Sequence, residues 1–197
     1  MIRTFVAIEL DTPLRKALAQ VQADLRNRLQ TAMGPDVRIQ WVKPESVHLT
    51  LKFLGDIPEE RVSEIVTALA RVAGAHIRST VDVGGLGAFP DARAPRVLWV
   101  GLSGQVEGVK RLAAAVERAL AELGFAPEPK PFNPHLTLAR IKERSRDVGR
   151  ALAAGRMLER AAPLGTVMVN AIALMQSELK PSGAVYTKLC EVSLKEA

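Results

Sequence analysis

Two of the chain's three histidines stand in one and the same tetrapeptide, His-Leu-Thr-Leu, at residues 48–51 and again at 135–138. In an extended strand, side chains two apart share a face. His48 and Thr50 then lie on one side and Leu49 and Leu51 on the other, and the same holds for His135 and Thr137 against Leu136 and Leu138. The leucines suit a core, and the polar face suits a cleft. An imidazole with an ordinary pKa of about 6.5 exists in both protonation states near neutral pH. A pair can therefore work together, one ring taking a proton from water and the other giving one to a leaving oxygen. Threonine hydroxyls can donate hydrogen bonds to oxygens on which charge builds. This is the set that displacement at a phosphodiester requires.

Other chemistries find less support. No His-x-His or His-Glu-x-x-His occurs, and neither tetrapeptide brings a carboxylate, so a zinc site needs acids from elsewhere in the chain. No Gly-x-Ser-x-Gly elbow and no Gly-x-x-x-x-Gly-Lys loop is present. Cys190 is the only cysteine, which excludes an intramolecular disulfide and a cysteine metal cluster. There are 27 Lys and Arg against 21 Asp and Glu, a formal net charge of +6, which favours an anionic partner. No apolar run approaches the ~20 residues of a membrane span, and the N-terminus lacks a signal-peptide pattern. We expect a cytoplasmic protein with no membrane association.

The elements that must position the motifs come in a repeated order. The segment 4–10 reads as a strand, 11–30 as an amphipathic helix with Leu14, Leu18, Val21, Leu25 and Leu29 on one stripe, and 37–42 and 47–55 as strands. A helix over 58–73 and a strand over 79–89 that dissolves into a glycine loop complete the first round. The second round has a strand over 96–102, a helix over 104–124, the strand containing His135, a helix over 145–154 and a strand over 165–176. A hairpin through "KPSG" (180–183) leads to a last strand over 184–194. The expectation is an α+β fold. Two pseudo-symmetric αβ lobes, each a mainly antiparallel sheet with outer helices, flank a central cleft. Residues 1–197 form one bilobal domain with one motif per repeat, and the motif strands face each other across the cleft.

Lys52 shares the face of His48 and Thr50 by simple alternation, which offers it to a phosphate or leaves it solvated. Alternation turns Arg140 away from His135 and Thr137. It reaches the cleft only if the strand bends, and otherwise joins Lys142, Arg144 and Arg146 in an exposed basic cluster. Trp41, Trp99, Phe132 and Tyr186 fit packing better than base stacking, and His76 has no assigned role. "GGLG" at 84–87 reads as a turn.

The phrases "RTFVAIEL", "HLTLKFLGD", "GAFP", "PRVLWVGL", "FNPHLTLAR" and "LMQSELKPSGAVYTKL" together resemble the two-histidine (2H) phosphoesterase superfamily. Within it they are most similar to the bacterial and archaeal RNA 2′,3′-cyclic phosphodiesterases, also named 2′–5′ RNA ligases. The resemblance spans essentially the whole chain. It implies hydrolysis of a 2′,3′-cyclic phosphate at an RNA end to a 2′-phosphate, with no metal and no cofactor. It implies His48 as proton donor, His135 as proton acceptor, and Thr50, Thr137 and Arg140 as substrate-binding residues. The partner is then an RNA or oligonucleotide with a 2′,3′-cyclic phosphate end, and the expected state is a monomer. The residues alone do not say which histidine is acid and which is base. Three alternatives remain open here: ATP-independent 2′–5′ ligation, which is the reverse reaction; non-catalytic binding of 2′–5′ linked or cyclic nucleotides; and hydrolysis of a small cyclic-phosphate metabolite.

Overall fold

The computed structural model describes residues 1–35, 37–159, 163–180 and 183–196. Nine strands form one antiparallel sheet: β1 (Ile2–Glu9), β2 (Ile39–Trp41), β3 (His48–Ile57), β4 (Ser79–Phe89), β5 (Val97–Ser103), β6 (His135–Ile141), β7 (Gly165–Val169), β8 (Ala171–Lys180) and β9 (Gly183–Ser193). Their order is β7-β4-β5-β6-β3-β1-β8-β9, with β2 pairing β6. Among the described residues four α-helices accompany them: α1 (Thr12–Met33), α2 (Val62–Gly74), α3 (Val106–Ala121) and α4 (Ser145–Ala154).

The helices form where the apolar spacing requires them. Leu14, Leu18, Val21, Leu25 and Leu29 of α1 are all buried. The Asp11 carboxylate caps its start by accepting from the Leu14 N–H at 2.9 Å, and Pro13 sits in the first turn. Among the described residues, no helix is long and apolar enough to cross a membrane.

The sheet has two halves that meet at a single registered pair, Leu49 opposite Leu136, both with no exposed surface. The halves are related as by a twofold axis through that pair: β3 corresponds to β6, β1 to β5, β8 to β4 and β9 to β7. The motif strands therefore join edge to edge, where the sequence suggested that they face each other across an opening.

The repeats also exchange parts. β4 belongs to the first repeat but pairs with β5 and β7 of the second. β8 pairs with β1 of the first. α1 packs on β7 and α4, while α3 packs on β3 and α2. The Gln22 side-chain amide, buried on α1, donates to Leu138 O at 2.9 Å and to Val42 O at 2.7 Å, fastening the first helix to the second motif strand. Neither repeat buries its helices on its own strands alone, so neither half of the core is complete without the other.

Two expectations are corrected. The span 165–176 is two strands, broken at Asn170, that lie in opposite halves of the sheet: β7 beside β4, and β8 beside β1. The glycines at 84–87 do not end β4, which continues to Phe89 through a bulge between Gly84 and Leu86. Gly87 is required because the Trp99 indole lies where a Cβ would be. In the "KPSG" hairpin, Pro181 and Ser182 lie outside the described residues, while the flanking Lys180 and Gly183 pair as expected.

The central pair should dominate stability. Leu49→Ala removes a fully buried side chain at the junction of both halves. Urea unfolding should show a loss of about 2–5 kcal/mol, in a single transition common to both halves. Two separated transitions would contradict the exchange of parts.

Candidate active site

Beside the Leu49–Leu136 pair, alternation along each strand turns His48 and Thr50 of β3 and His135 and Thr137 of β6 to the face opposite the leucines. All four polar side chains are half-buried on the face away from the helices, and Leu49, Leu51, Leu136 and Leu138 are buried on the other. The two halves thus bring two His-Thr pairs to one place, as the alternation in the sequence implies.

Each imidazole is held in the same way. His48 Nδ1 lies 2.8 Å from Ser46 O, and His135 Nδ1 lies 2.7 Å from Asn133 O, in both cases the carbonyl two residues upstream. A carbonyl oxygen only accepts, so Nδ1 carries the hydrogen in both rings. That leaves Nε2 as the nitrogen that gains or loses a proton. Aromatic rings fix the ring planes. His48 stacks on Phe5 at 4.6 Å and meets the edge of Tyr186 at 5.1 Å. His135 meets Phe89 edge-on at 5.0 Å, with Trp99 at 6.4 Å. Phe5, Tyr186, Ala7, Ala173 and Met175 form a small apolar cluster beneath His48, separate from the main core.

The electrostatic settings differ. Burial lowers the pKa of His48 below the ordinary imidazole value; its hydrogen bond to Ser46 opposes this, and the charges of Arg140, Arg15 and His135 add to the lowering. Burial raises the pKa of the Tyr186 phenol, and Arg140 again acts on it in the opposite sense. The Arg140 guanidinium is therefore near enough to bear on both.

Strict alternation turned Arg140 away from this face, and a bulge reverses that. In the β5–β6 ladder the register shifts between Leu98 and Trp99, skipping Leu138, so Leu138 and Ala139 are both buried and Arg140 is exposed. Arg140 then lies on the face of His135 and Thr137. The equivalent shift occurs in β3. Between Val6 and Ala7 the ladder skips Leu51, so Leu51 and Lys52 are both buried and Phe53 emerges.

Lys52 therefore does not share the His48 face. Its Nζ is buried under α3, donating to Glu117 Oε1 at 2.6 Å and Ala126 O at 2.8 Å. Glu117 Oε1 also accepts from the Glu128 N–H at 2.9 Å. This group ties β3 and α3 to the segment that leads into the second motif.

The remaining candidates are placed as follows. Trp41 lies in β2, half-buried, with the Arg26 guanidinium 5.3 Å from its ring centroid. Trp99 and Tyr186 flank the histidines, and Phe132 lines an opening beside His135. His76 Nδ1 bonds Val72 O at 2.7 Å near the end of α2, away from the motifs. Reasoning from sequence missed Phe5, Phe53 and Phe89. Phe5 stands in the neighbouring strand β1 and Phe53 in the motif strand β3 itself, but the bulge that brings Phe53 to this face leaves no mark in the residue pattern.

A half-buried pair of oriented imidazoles with two hydroxyls and a guanidinium has the chemistry for proton transfer around an anion. The model of the LigT-like phosphoesterase family matches the chain twice, over residues 8–99 and 100–186, each match containing one His-Leu-Thr-Leu tetrapeptide. The chain belongs to that family. A protein of Aquifex aeolicus named RNA 2′,3′-cyclic phosphodiesterase is 36% identical over 173 residues, covering 87% of this chain and 90% of the relative. One of the same name from Aeropyrum pernix is 40% identical over 159 residues, covering 79% and 86%. Among solved structures, the protein TT0787 of Thermus thermophilus superposes with a TM-score of 0.76 at 31% identity, covering 99% of each chain.

The lowered pKa of His48 has a direct readout. Its ring should titrate below the ordinary ~6.5 in the free protein, when followed by NMR of the imidazole C–H signals. Inorganic phosphate in the cleft should raise it by offsetting the Arg140 charge. Unchanged titration with phosphate bound would place the anion away from His48.

Proposed function

We propose that the protein hydrolyses the 2′,3′-cyclic phosphodiester at an RNA end to a 2′-phosphomonoester, using His48 and His135 as acid and base with no metal cofactor. The observation that carries this reading is the shared arrangement of the two rings: both Nδ1–H groups are bound to carbonyls, and one buried leucine pair brings the motifs together. The names of the relatives, RNA 2′,3′-cyclic phosphodiesterase, supply the substrate class.

The reaction is a single displacement at phosphorus. Water attacks on the side opposite the 3′-oxygen and gives a proton to His135 Nε2. The P–O3′ bond breaks, and His48 Nε2–H protonates the departing oxygen. The product carries a 3′-hydroxyl and a 2′-phosphate, and solvent exchange restores the two rings. Thr50 and Thr137 donate to the non-bridging oxygens, and Arg140 balances their charge. Each proton transfer contributes typically ~10²–10⁴-fold in rate.

The donor role requires His48 to be protonated, although burial and the Arg140 charge oppose this in the protein alone. The phosphodiester anion supplies the compensation. Bound next to Arg140, it removes the repulsion and favours the imidazolium as substrate arrives. Acid and base are then set by the substrate as much as by the protein.

Phosphorus NMR of a short RNA ending in a 2′,3′-cyclic phosphate, incubated with the protein in excess EDTA, should show conversion to the 2′-phosphate. The pH profile of kcat/KM should be bell-shaped. His48→Ala and His135→Ala should each lower kcat by about 10²–10⁴-fold while retaining nucleotide binding. An unchanged cyclic phosphate, or a single-histidine variant with a near-normal rate, would refute the reading.

A further inference from the structure

Two hollows flank the histidine pair. The wider is a cleft of about 940 Å³ that opens from Thr50 and His135. It borders β3 from Thr50 to Phe53, beside residues 125–134, which carry prolines at 127, 129, 131 and 134 and form no strand. The smaller, of about 350 Å³, lies against His48. Its walls come from the end of β1, the first turn of α1, the turn that precedes the first motif and the start of β9. Arg15, Lys43 and Lys188 line it, and so do Glu9 and Glu45, three positive charges against two negative.

These charges are not equally committed. Glu9 accepts from Lys188 Nζ at 2.7 Å, and Lys188 also donates to Glu191 at 2.6 Å. Arg15 stands outside that group. Its Nη2 lies 3.9 Å from Glu9 Oε1, beyond hydrogen-bond reach, and its Nε is buried with no hydrogen-bond partner among the described residues. A guanidinium presents five N–H donors in a fixed fork, and one that lacks an acceptor of its own is matched to the oxygens of a phosphate. The Arg15 charge also reaches the His48 ring. Lys43 is exposed in the same hollow.

We infer that this hollow is the subsite for the phosphodiester on the 5′ side of the terminal nucleotide, with Arg15 as its main contact and Lys43 beside it. The inference rests on the phosphodiesterase reading. In that reaction His48 faces O3′, which is carried by C3′. C3′ is bonded to C4′, and C4′ carries C5′ and the 5′-oxygen. The edge of the sugar turned to His48 is therefore the edge from which the RNA chain leaves. The next phosphate along the chain arrives beside His48, where Arg15 stands. Arg140 balances the reacting phosphate and Arg15 the one before it. The excess of one positive charge in the hollow suits a single phosphodiester, which carries one negative charge. Such a contact positions a chain without reading its sequence. It makes the protein select a polynucleotide end over a free cyclic nucleotide.

Three substrates test this: adenosine 2′,3′-cyclic phosphate, the same nucleotide with a 5′-phosphate, and a dinucleotide ending in that cyclic nucleotide. The second and third should be turned over with kcat/KM about 10- to 100-fold above the first, the range of hydrogen bonds to a charged group. Arg15→Gln should remove most of that advantage and Lys43→Gln part of it. Arg15 also acts on His48, but a change of acid strength falls on all three substrates and cancels in the ratios. Lys43 is exposed, so its variant reads the ratios even if Arg15→Gln lowers the Tm. A preference for the dinucleotide alone would put the contact on the upstream nucleoside and overturn the inference. Equal kcat/KM on all three, or ratios that both variants leave unchanged, would overturn it too. If the wild-type protein turns over none of them, the phosphodiesterase reading fails by itself. The subsite is then read from binding of adenosine 2′,5′-bisphosphate against adenosine 2′-monophosphate. Tighter binding of the bisphosphate, lost in Arg15→Gln, supports it, and equal affinity overturns it.

Discussion

The structure depends on one backbone pairing, Leu49 with Leu136. Because side chains alternate along a strand, fixing this pair fixes the face of every polar group in both motifs. A slip of one residue would send the histidines toward the helices and the leucines into the cleft. The register is held from the leucine side. Leu49, Leu51, Leu136 and Leu138 belong to the core that all four helices cover; α3 of the second repeat packs on β3, and α1 of the first reaches β6 through Gln22. Burial of apolar surface on the far side of the sheet thus sets the geometry of the polar groups in the cleft.

Bulges make that pairing short and make the two sides differ. At the second motif leucine, Leu51 in one strand and Leu138 in the other, each strand inserts one extra residue and turns over. A bulge bends a strand and re-aims its side chains, and here it does so at matching points. The same backbone device brings an arginine to the cleft from one strand and a phenylalanine from the other. On the reverse face it buries Lys52 in one repeat and Ala139 in the other. The buried Lys52 ammonium is satisfied by Glu117 and Ala126 O, as a charge at such a place must be. Pseudo-symmetry places the parts, and sequence differences at symmetric positions divide the work.

Much of this was legible in the residues. The 3.6-residue periodicity of α1 and the alternation of His-Leu-Thr-Leu are local signals, and both elements form where those signals lie. The repeat of tetrapeptide and elements predicted two related halves that meet. What failed depended on partners distant in the chain. A strand and its bulge read alike, because the extra residue is defined by the neighbouring ladder, so alternation put Lys52 on the wrong face and could bring Arg140 to the cleft only if the strand bends, as it does. Residues 167–175 are apolar except for Asn170, and one asparagine in such a run does not by itself announce a change of sheet half. The glycines of β4 read as a loop, whereas Gly87 makes room for the Trp99 indole of the neighbouring strand. Exchange of β4 and β8 between repeats is a property of the assembled sheet and has no local signature.

Identical tetrapeptides pose a problem for acid–base catalysis, since two equal imidazoles have no reason to adopt opposite protonation states. The surroundings supply the difference. His48 is enclosed by Phe5 and Tyr186, and its pKa is lowered by that burial and by cations including Arg140. His135 stands at the mouth of the wide cleft, between Phe89 and the β3 edge that the proline-spaced segment leaves open. If the proposed mechanism holds, an anion beside Arg140 offsets the charge that helps lower the His48 pKa. A neutral ligand would leave His48 disfavoured as an acid. On that proposal a phosphodiester favours the protonated donor on arrival, which couples protonation to recognition of the charge on which it acts.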